Sequence, residues 1–291
     1  KKKLEVEKMG KKKSINTWEW AAKTVNCCTG CSHDCLFCYA KSDAVMRFKR
    51  MTAAEWPVEK IRPHDVNRKH KKYDERVMFP STHDITPNNL GACMTVLEKL
   101  LTTDNDVLIV SKPHLDCIST ICDAFGHYSD QFRVASYQDE SEVIHYYRLF
   151  RIVFRFTIGA VDDRILKFWE PNAPSYEERK AALKYAFEAG LQTSVSAEPM
   201  LDPQNIDLLV TDLMPYITDS FWIGEMNHIG RFSKYADSQM QNELNRIRAG
   251  QTSSAIQAIY GRYKDNPMIK WKNGIKKIVG LPMATVPGLD I

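Results

Sequence analysis

The sequence predicts an α/β protein, a partial parallel (β/α)6 barrel with a C-terminal helical extension. β-prone runs and helical stretches alternate six times over roughly 200 residues, the rhythm of parallel strands joined by right-handed crossovers. Polar residues recur just after five of those runs, where active-site groups collect in parallel barrels. A length of 291 residues suits a single unit of this kind. A doubly wound open sheet would produce the same alternation and is the alternative.

Taken in order, residues 1–20 form a basic lead-in ending in Trp18-Glu-Trp20, and Lys23-Thr-Val-Asn26 is the first candidate strand. Residues 40–75 are charged and partly helical, broken at Pro57 and Pro63. Arg76-Val-Met-Phe79 is the second strand and leads into the loop Pro80-Ser-Thr-His-Asp-Ile-Thr86. Pro87 favours a helix start, and the apolar spacing of Leu90, Met94, Leu97, Leu100 and Leu101 continues it. After the turn Asp104-Asn-Asp106 come the strand Val107-Leu-Ile-Val110 and a helix over 115–125. Residues 127–150 are expected to interrupt the pattern with a helix over 140–149.

Ile152-Val-Phe-Arg-Phe-Thr157 resumes the strands, followed by a helical stretch ending at Trp169 and the rigid loop Glu170-Pro-Asn-Ala-Pro174. Ser175 and Glu178 form a capping box, with Gly190 near that helix's stop. Gln192-Thr-Ser-Val-Ser196, a helix over 205–214 and Phe221-Trp-Ile-Gly224 complete six units. Helices over 235–248 and 253–263 then form a cap. The expected division is a lead-in over 1–20, a partial barrel over 21–230 and a helical cap over 231–291.

Composition narrows the class. Hydrophobic residues at 44% and charged residues at 26% are ordinary for a soluble globular protein. The apolar runs are too short to span a membrane, no signal-peptide pattern opens the chain, and no membrane partner is expected. Because the first residue is lysine, the sequence is expected to be a piece of a longer chain. The net charge of +4 is mild, but Arg68-Lys-His-Lys-Lys72 follows Arg47, Lys49 and Arg50. A solvated face is the commoner role of such a run, and nucleic-acid contact is the other.

Five of the eight cysteines fall within residues 27–38, a density that points to a metal site in a reducing cytoplasm rather than to disulfides. Three of them stand in Cys31-Ser-His-Asp-Cys35-Leu-Phe-Cys38. Iron–sulfur clusters are held by cysteine thiolates, normally four, so three ligands would leave one iron open. Cys28 makes a fourth ligand available, for a ferredoxin-type cluster or for zinc. Zinc ribbons, however, separate their paired cysteines by about 15–20 residues, whereas Ser32, His33 and Asp34 alone intervene here. Cys93, Cys117 and Cys122 fall on expected helices, where packing is their ordinary role.

The spacing of Cys31, Cys35 and Cys38, with the aromatic Phe37 before the third, resembles the signature of the radical S-adenosylmethionine superfamily. The segments around residues 79–87, 110–113, 154–163, 169–179 and 193–201 resemble its spore photoproduct lyase-like branch. The resemblance implies a 4Fe-4S cluster on Cys31, Cys35 and Cys38. S-adenosyl-L-methionine would sit on the open iron and be cleaved reductively to a 5′-deoxyadenosyl radical that takes hydrogen from a substrate. It also implies a lyase-like, oxygen-sensitive enzyme and an electron donor of flavodoxin or ferredoxin type.

Thr82 and Asp84 occupy positions that touch the cofactor's methionyl end in that branch, and Lys112 and Thr157 match its lysine and hydroxyl. Ser81 and Glu198 complete the cofactor-binding candidates, and Arg155, Glu170 and Glu225 are charged strand-associated residues. Arg155 is expected to meet a carboxylate. Where the branch has a hydrogen-donating cysteine this chain has Pro80 and Ser81, and an alcohol is a poor hydrogen-atom donor. Thymine-dimer repair by that route is therefore not expected. The substrate is left open among a nucleic-acid base, a peptide and a small metabolite, with the basic run favouring the first. An iron–sulfur or zinc protein without radical chemistry, associated with nucleic acid, is the alternative.

Overall fold

A computed structural model describes residues 16–138, 142–235, 237–283 and 288. Most of the expected lead-in, residues 140–141 and most of the last eight residues lie outside them. The chain opens with β1 (Lys23–Thr24), β2 (Cys28–Thr29), α1 (Tyr39–Ser42), β3 (Lys60–Ile61), α2 (Pro63–Asn67) and β4 (Val77–Phe79). It continues through α3 (Leu90–Thr102), β5 (Val107–Ser111), α4 (Leu115–Phe125), β6 (Phe132–Gln138), β7 (Ile144–Phe150) and β8 (Ile152–Thr157). Then come α5 (Asp163–Trp169), α6 (Tyr176–Glu188), β9 (Gln192–Ala197), α7 (Ile206–Leu213) and β10 (Ser220–Ile223). The last elements are α8 (Ser238–Gly250), α9 (Ser253–Tyr263), β11 (Ile269–Trp271) and α10 (Asn273–Val279).

Seven strands form one sheet in the order β1-β4-β5-β8-β9-β10-β11, every neighbouring pair parallel. Successive side chains on a strand point to opposite faces. Val77, Phe79, Val107, Ile109, Phe154 and Phe156 accordingly join one large core with the helices. Met78, Leu108, Val153 and Trp222 instead face a small second core completed by Trp20 and Ala21. Helices therefore cover one face, and the other is an enclosed interior, which excludes the doubly wound arrangement and leaves the partial barrel. No helix among the described residues is long and apolar enough to cross a membrane.

All six expected strands form. Ser175 accepts from Glu178 N–H at 3.3 Å at the start of α6, one half of the expected capping box, while the Glu178 carboxylate turns away to accept from Leu115 N–H at 3.3 Å; Gly190 beyond the helix end has φ +77°. Two segments depart from expectation. Residues 142–149, the described part of the expected helix over 140–149, are not helical; β6 and β7 pair antiparallel in the register Phe132↔Phe150 and Ser136↔Tyr146. Their aromatic and β-branched residues suit a pleated ribbon, and Phe132 packs against Phe150 at 5.5 Å between ring centroids. The helices expected over 235–248 and 253–263 appear as α8 and α9, and the described residues beyond them also supply a seventh strand, β11, parallel to β10. Three residues are too short a run to show a strand period.

The charged side chains Arg155 and Lys272 inside the barrel are paired. The Arg155 guanidinium donates to Ser194 Oγ at 2.9 Å, pairs with Asp219 at 3.1 Å and stacks between Trp20 and Trp222, 4.9 Å from each ring. The carboxylate expected for Arg155 is thus Asp219. Lys272, just after β11, lies 3.3 Å from Glu19 and 3.1 Å from Glu198. Burial pushes the Glu198 carboxyl above its ordinary range, partly offset by Lys272. Replacing Lys272→Met is expected to cost about 3 kcal/mol at pH 7, because both carboxylates stay buried without their cation. A carboxyl with a raised folded pKa loses stability as pH rises towards that pKa, so the deficit should shrink between pH 7 and pH 5. Urea unfolding of both proteins at the two pH values measures it.

Candidate functional site

The cysteine loop is built by local geometry. Gly30, just after β2, has φ +85°, and a Cβ there would stand 2.6 Å from the carbonyls of Trp56 and Val58. The chain can turn at that point only without a side chain. Asp34 turns it again with φ 50°, and the Asp34 and Cys38 amides donate back to the Cys31 and Cys35 carbonyls at 3.2 Å. Cys38 caps α1, its sulfur accepting from Lys41 N–H at 3.4 Å. The result places Cys31, Cys35 and Cys38 together in the lining of one cavity at the C-terminal ends of the strands.

Two carboxylates and a loop brace these cysteines. Glu59 accepts from the Ser32 amide at 2.9 Å, from Ser32 Oγ at 2.8 Å, from Thr86 Oγ1 at 2.7 Å and from Asn89 Nδ2 at 3.1 Å. The loop after α5 supports the other side, where Leu36 N–H donates to Trp169 O at 2.9 Å and Asn172 Nδ2 to Ser32 O at 3.1 Å. Beneath it lies Glu170, 2.6 Å from Arg179, with both side chains fully buried. Arg179 also donates to Pro174 O at 2.8 Å and Thr157 O at 3.2 Å. Removing Glu59's acceptors by Glu59→Ala is expected to cost about 3 kcal/mol locally. Amide exchange across residues 31–38 should then quicken about a hundredfold, read by mass spectrometry.

Asp84 is the electrostatic centre. Its Oδ1 accepts from Lys112 N–H at 2.8 Å and Ser111 Oγ at 3.2 Å, and its Oδ2 lies 2.9 Å from His33 Nδ1 and 3.5 Å from Lys112 Nζ. Burial alone would raise its pKa, but Lys112 and then His33 hold it well below the usual carboxylate range. Burial likewise opposes the charge on Lys112, yet Asp84, Cys35 and Glu170 outweigh it and raise that pKa. Burial raises all three cavity thiols, and on each of them Lys112 works the other way. Cys31 Sγ, His33 and Asp84 also have potential ligand atoms within 4.8 Å of one another. His33 is already engaged on both sides, however, its Nε2 lying 2.9 Å from His114 Nε2.

Ser81, Thr82, Asp84, Lys112, Thr157 and Glu198, the six cofactor-binding candidates, line the same cavity as the three cysteines. Asn26 fixes the Ser81–Thr82 loop, its Oδ1 accepting from both amides at 2.7 and 2.8 Å and its Nδ2 donating to Ser81 Oγ at 2.9 Å. Tyr39 Oη donates to the Ser81 carbonyl. Glu225 lines the cavity too, whereas Arg155 and Glu170 are engaged in the ion pairs described above. Tyr39, Trp20 and Arg231 join the lining without having been expected there. Only the position of Tyr39, immediately after Cys38, could have signalled it.

Cys27 and Cys28 do not line the cavity. Cys28 Sγ faces the carbonyls of Thr29 and Gly30 at 3.5 and 3.9 Å, and burial pushes its thiol up to about 12. Cys27 packs 3.8 Å from Cys93, sulfur to sulfur. Cys93, Cys117 and Cys122 are buried core residues on α3 and α4.

No family model and no curated protein matches the chain. Among solved structures, a cysteine-to-serine mutant of spore photoproduct lyase superposes with a TM-score of 0.52 at 14% identity, over 87% of this chain and 76% of that one. Spore photoproduct lyase complexed with dinucleoside spore photoproduct gives 0.50 at 13% identity, over 84% and 74%. Streptococcus suis SuiB bound to S-adenosylmethionine gives 0.48 at 10% identity, over 91% and 54%. At these identities the likeness establishes the fold: the chain has the fold of spore photoproduct lyase, in agreement with the resemblance of its cysteine motif to the radical S-adenosylmethionine superfamily.

Proposed function

We propose that the protein is a radical S-adenosylmethionine enzyme in which Cys31, Cys35 and Cys38 hold a four-iron, four-sulfur cluster. The observation that carries this is that these three cysteines, of the eight in the chain, line one cavity at the strand ends. The donor set fits: thiols alone suit iron–sulfur clusters, and three of them leave room for an exogenous ligand. Such a cluster with S-adenosylmethionine supplies one-electron reductive cleavage to a 5′-deoxyadenosyl radical.

The chain's own residues bind, orient and exclude water. Lys112 favours thiolates at all three cysteines, and Asp84 holds Lys112 through its backbone amide and its ammonium. Because His33, Lys112 and Ser111 already occupy Asp84, we assign it a positioning role toward the methionyl end of the cofactor rather than a direct contact. Ser81, Thr82 and Thr157 offer hydroxyls to the cofactor, with Asn26 fixing the first two. Glu198, tied to Lys272, faces the ribose or substrate. The domain division proposed is a barrel over 21–230 with a cap over 231–291 whose Lys272 reaches the barrel interior.

A nucleic-acid base is the proposed substrate class. Support comes from the basic residues Arg47, Lys49 and Arg50 just beyond α1 and from the dinucleoside bound by the similar lyase. Ser81 in place of a hydrogen-donating thiol argues for an outcome other than that lyase's repair. Reaction in a reducing cytoplasm with a flavodoxin- or ferredoxin-type donor completes the proposal. The test is anaerobic reconstitution with iron and sulfide, then reduction by dithionite with S-adenosylmethionine present. Release of 5′-deoxyadenosine and methionine is expected. Protein that carries zinc and releases neither would support the non-radical alternative.

A further inference from the structure

A second pocket lies at the β1 edge of the sheet, bordered by Lys23, Asn26, Arg62, Asp65, Arg68 and His70. His70 is its buried member, 9% exposed, and neither ring nitrogen has a hydrogen-bond partner among the described residues. An imidazole always carries at least one N–H, and a buried donor without an acceptor is an unstable arrangement that native proteins rarely keep. An acceptor oxygen entering the pocket would satisfy that donor.

The surroundings define its charge. Three cations, Lys23, Arg62 and Arg68, face a single carboxylate, Asp65. Arg62 is partly committed, with Nε 3.0 Å from Asp65 and a terminal nitrogen donating to Asn26 O at 2.7 Å. Lys23 and Arg68 are exposed, and among the described residues neither has a carboxylate within 4.0 Å. Burial depresses the His70 pKa, and Arg68, Lys99 and Lys23 depress it further, so the neighbourhood selects strongly for an anion.

We propose that this pocket is a phosphoryl-oxyanion site, with His70 donating a hydrogen bond from its floor and Lys23, Arg62 and Arg68 neutralising the charge. A guanidinium pair suits phosphate geometry, and an imidazole beneath it adds direction. The run Arg68-Lys-His-Lys-Lys72 then acquires a specific purpose for two of its members rather than a diffuse one. Asn26 joins this pocket to the cavity, because its carbonyl is held by Arg62 while its side chain holds the Ser81 and Thr82 amides. The phosphoryl group could belong to a phosphomonoester or to a nucleic-acid backbone. The site itself does not depend on the cluster chemistry, and its test can fail or succeed independently of it.

The test titrates inorganic phosphate into the full-length, anaerobically prepared protein at constant ionic strength, with the imidazole resonances followed by 1H–13C NMR. One resonance, assigned by its loss in His70→Asn, is expected to move saturably with phosphate and not with chloride. Arg68→Ala, at an exposed position that leaves the fold intact, is expected to weaken that binding about tenfold. A resonance that does not move, or that moves equally with chloride or in Arg68→Ala, would overturn the proposal. Competition identifies the source. Displacement by a 5′-phosphorylated but not an unphosphorylated oligonucleotide supports a monoester, and equal, salt-dependent displacement by both supports the backbone.

Discussion

Replacing any one of Cys31, Cys35 or Cys38 with alanine is expected to reduce bound iron from about four per chain to near zero and abolish 5′-deoxyadenosine formation. Cys27→Ala and Cys28→Ala should keep both. The asymmetry follows from where the sulfurs point. Two of the five clustered cysteines face away from the cavity, one toward backbone carbonyls and one toward Cys93 in the core. Loss of a ligand is not repaired by Cys28, because Gly30 lies locked between it and the loop, with no space for the chain to shift toward Trp56 and Val58. Iron and sulfide analysis of the five variants, purified anaerobically, checks this. Equal loss of metal in Cys28→Ala would mean a four-cysteine site.

Replacing Glu170→Gln should cost about 3–5 kcal/mol of stability, lowering the melting temperature by roughly 10 °C. Both members of the Glu170–Arg179 pair are fully buried and 2.6 Å apart, outside hydrogen-bond angles, so charge holds them together. Neutralising one leaves a guanidinium inside the protein without its counter-ion, and Lys112, 4.0 Å from the same carboxylate, loses a partner as well. The double variant Glu170→Gln, Arg179→Met should recover much of the loss, since neither charge then remains buried alone. Thermal unfolding of the three proteins measures it. If the single and double variants lose stability equally, the pair contributes through packing rather than charge.

Local features were legible from the residues alone. The cysteine spacing, the Ser175 helix cap and the polar residues after the strands all depend on a few neighbouring positions, and each stands where the sequence suggests. The partners of charged residues were not legible. Glu59 reaches Ser32 across 27 positions, Arg155 reaches Asp219 across 64, and Lys272 closes on Glu19 from the other end of the chain. Nothing in residue type or spacing encodes such pairs; the sheet order creates them. The pairing of residues 132–138 with 144–150 is not legible in the sequence because short aromatic runs suit either period until pairing decides. β11 was missed because three residues become a strand only beside β10.

The most direct test is low-temperature electron paramagnetic resonance of the reduced protein with and without S-adenosylmethionine. An iron with an open position should give a reduced-cluster spectrum whose g-values move when the cofactor is added, in the wild type and in Cys28→Ala alike. A spectrum indifferent to the cofactor, or a silent protein carrying zinc, would contradict the three-cysteine site.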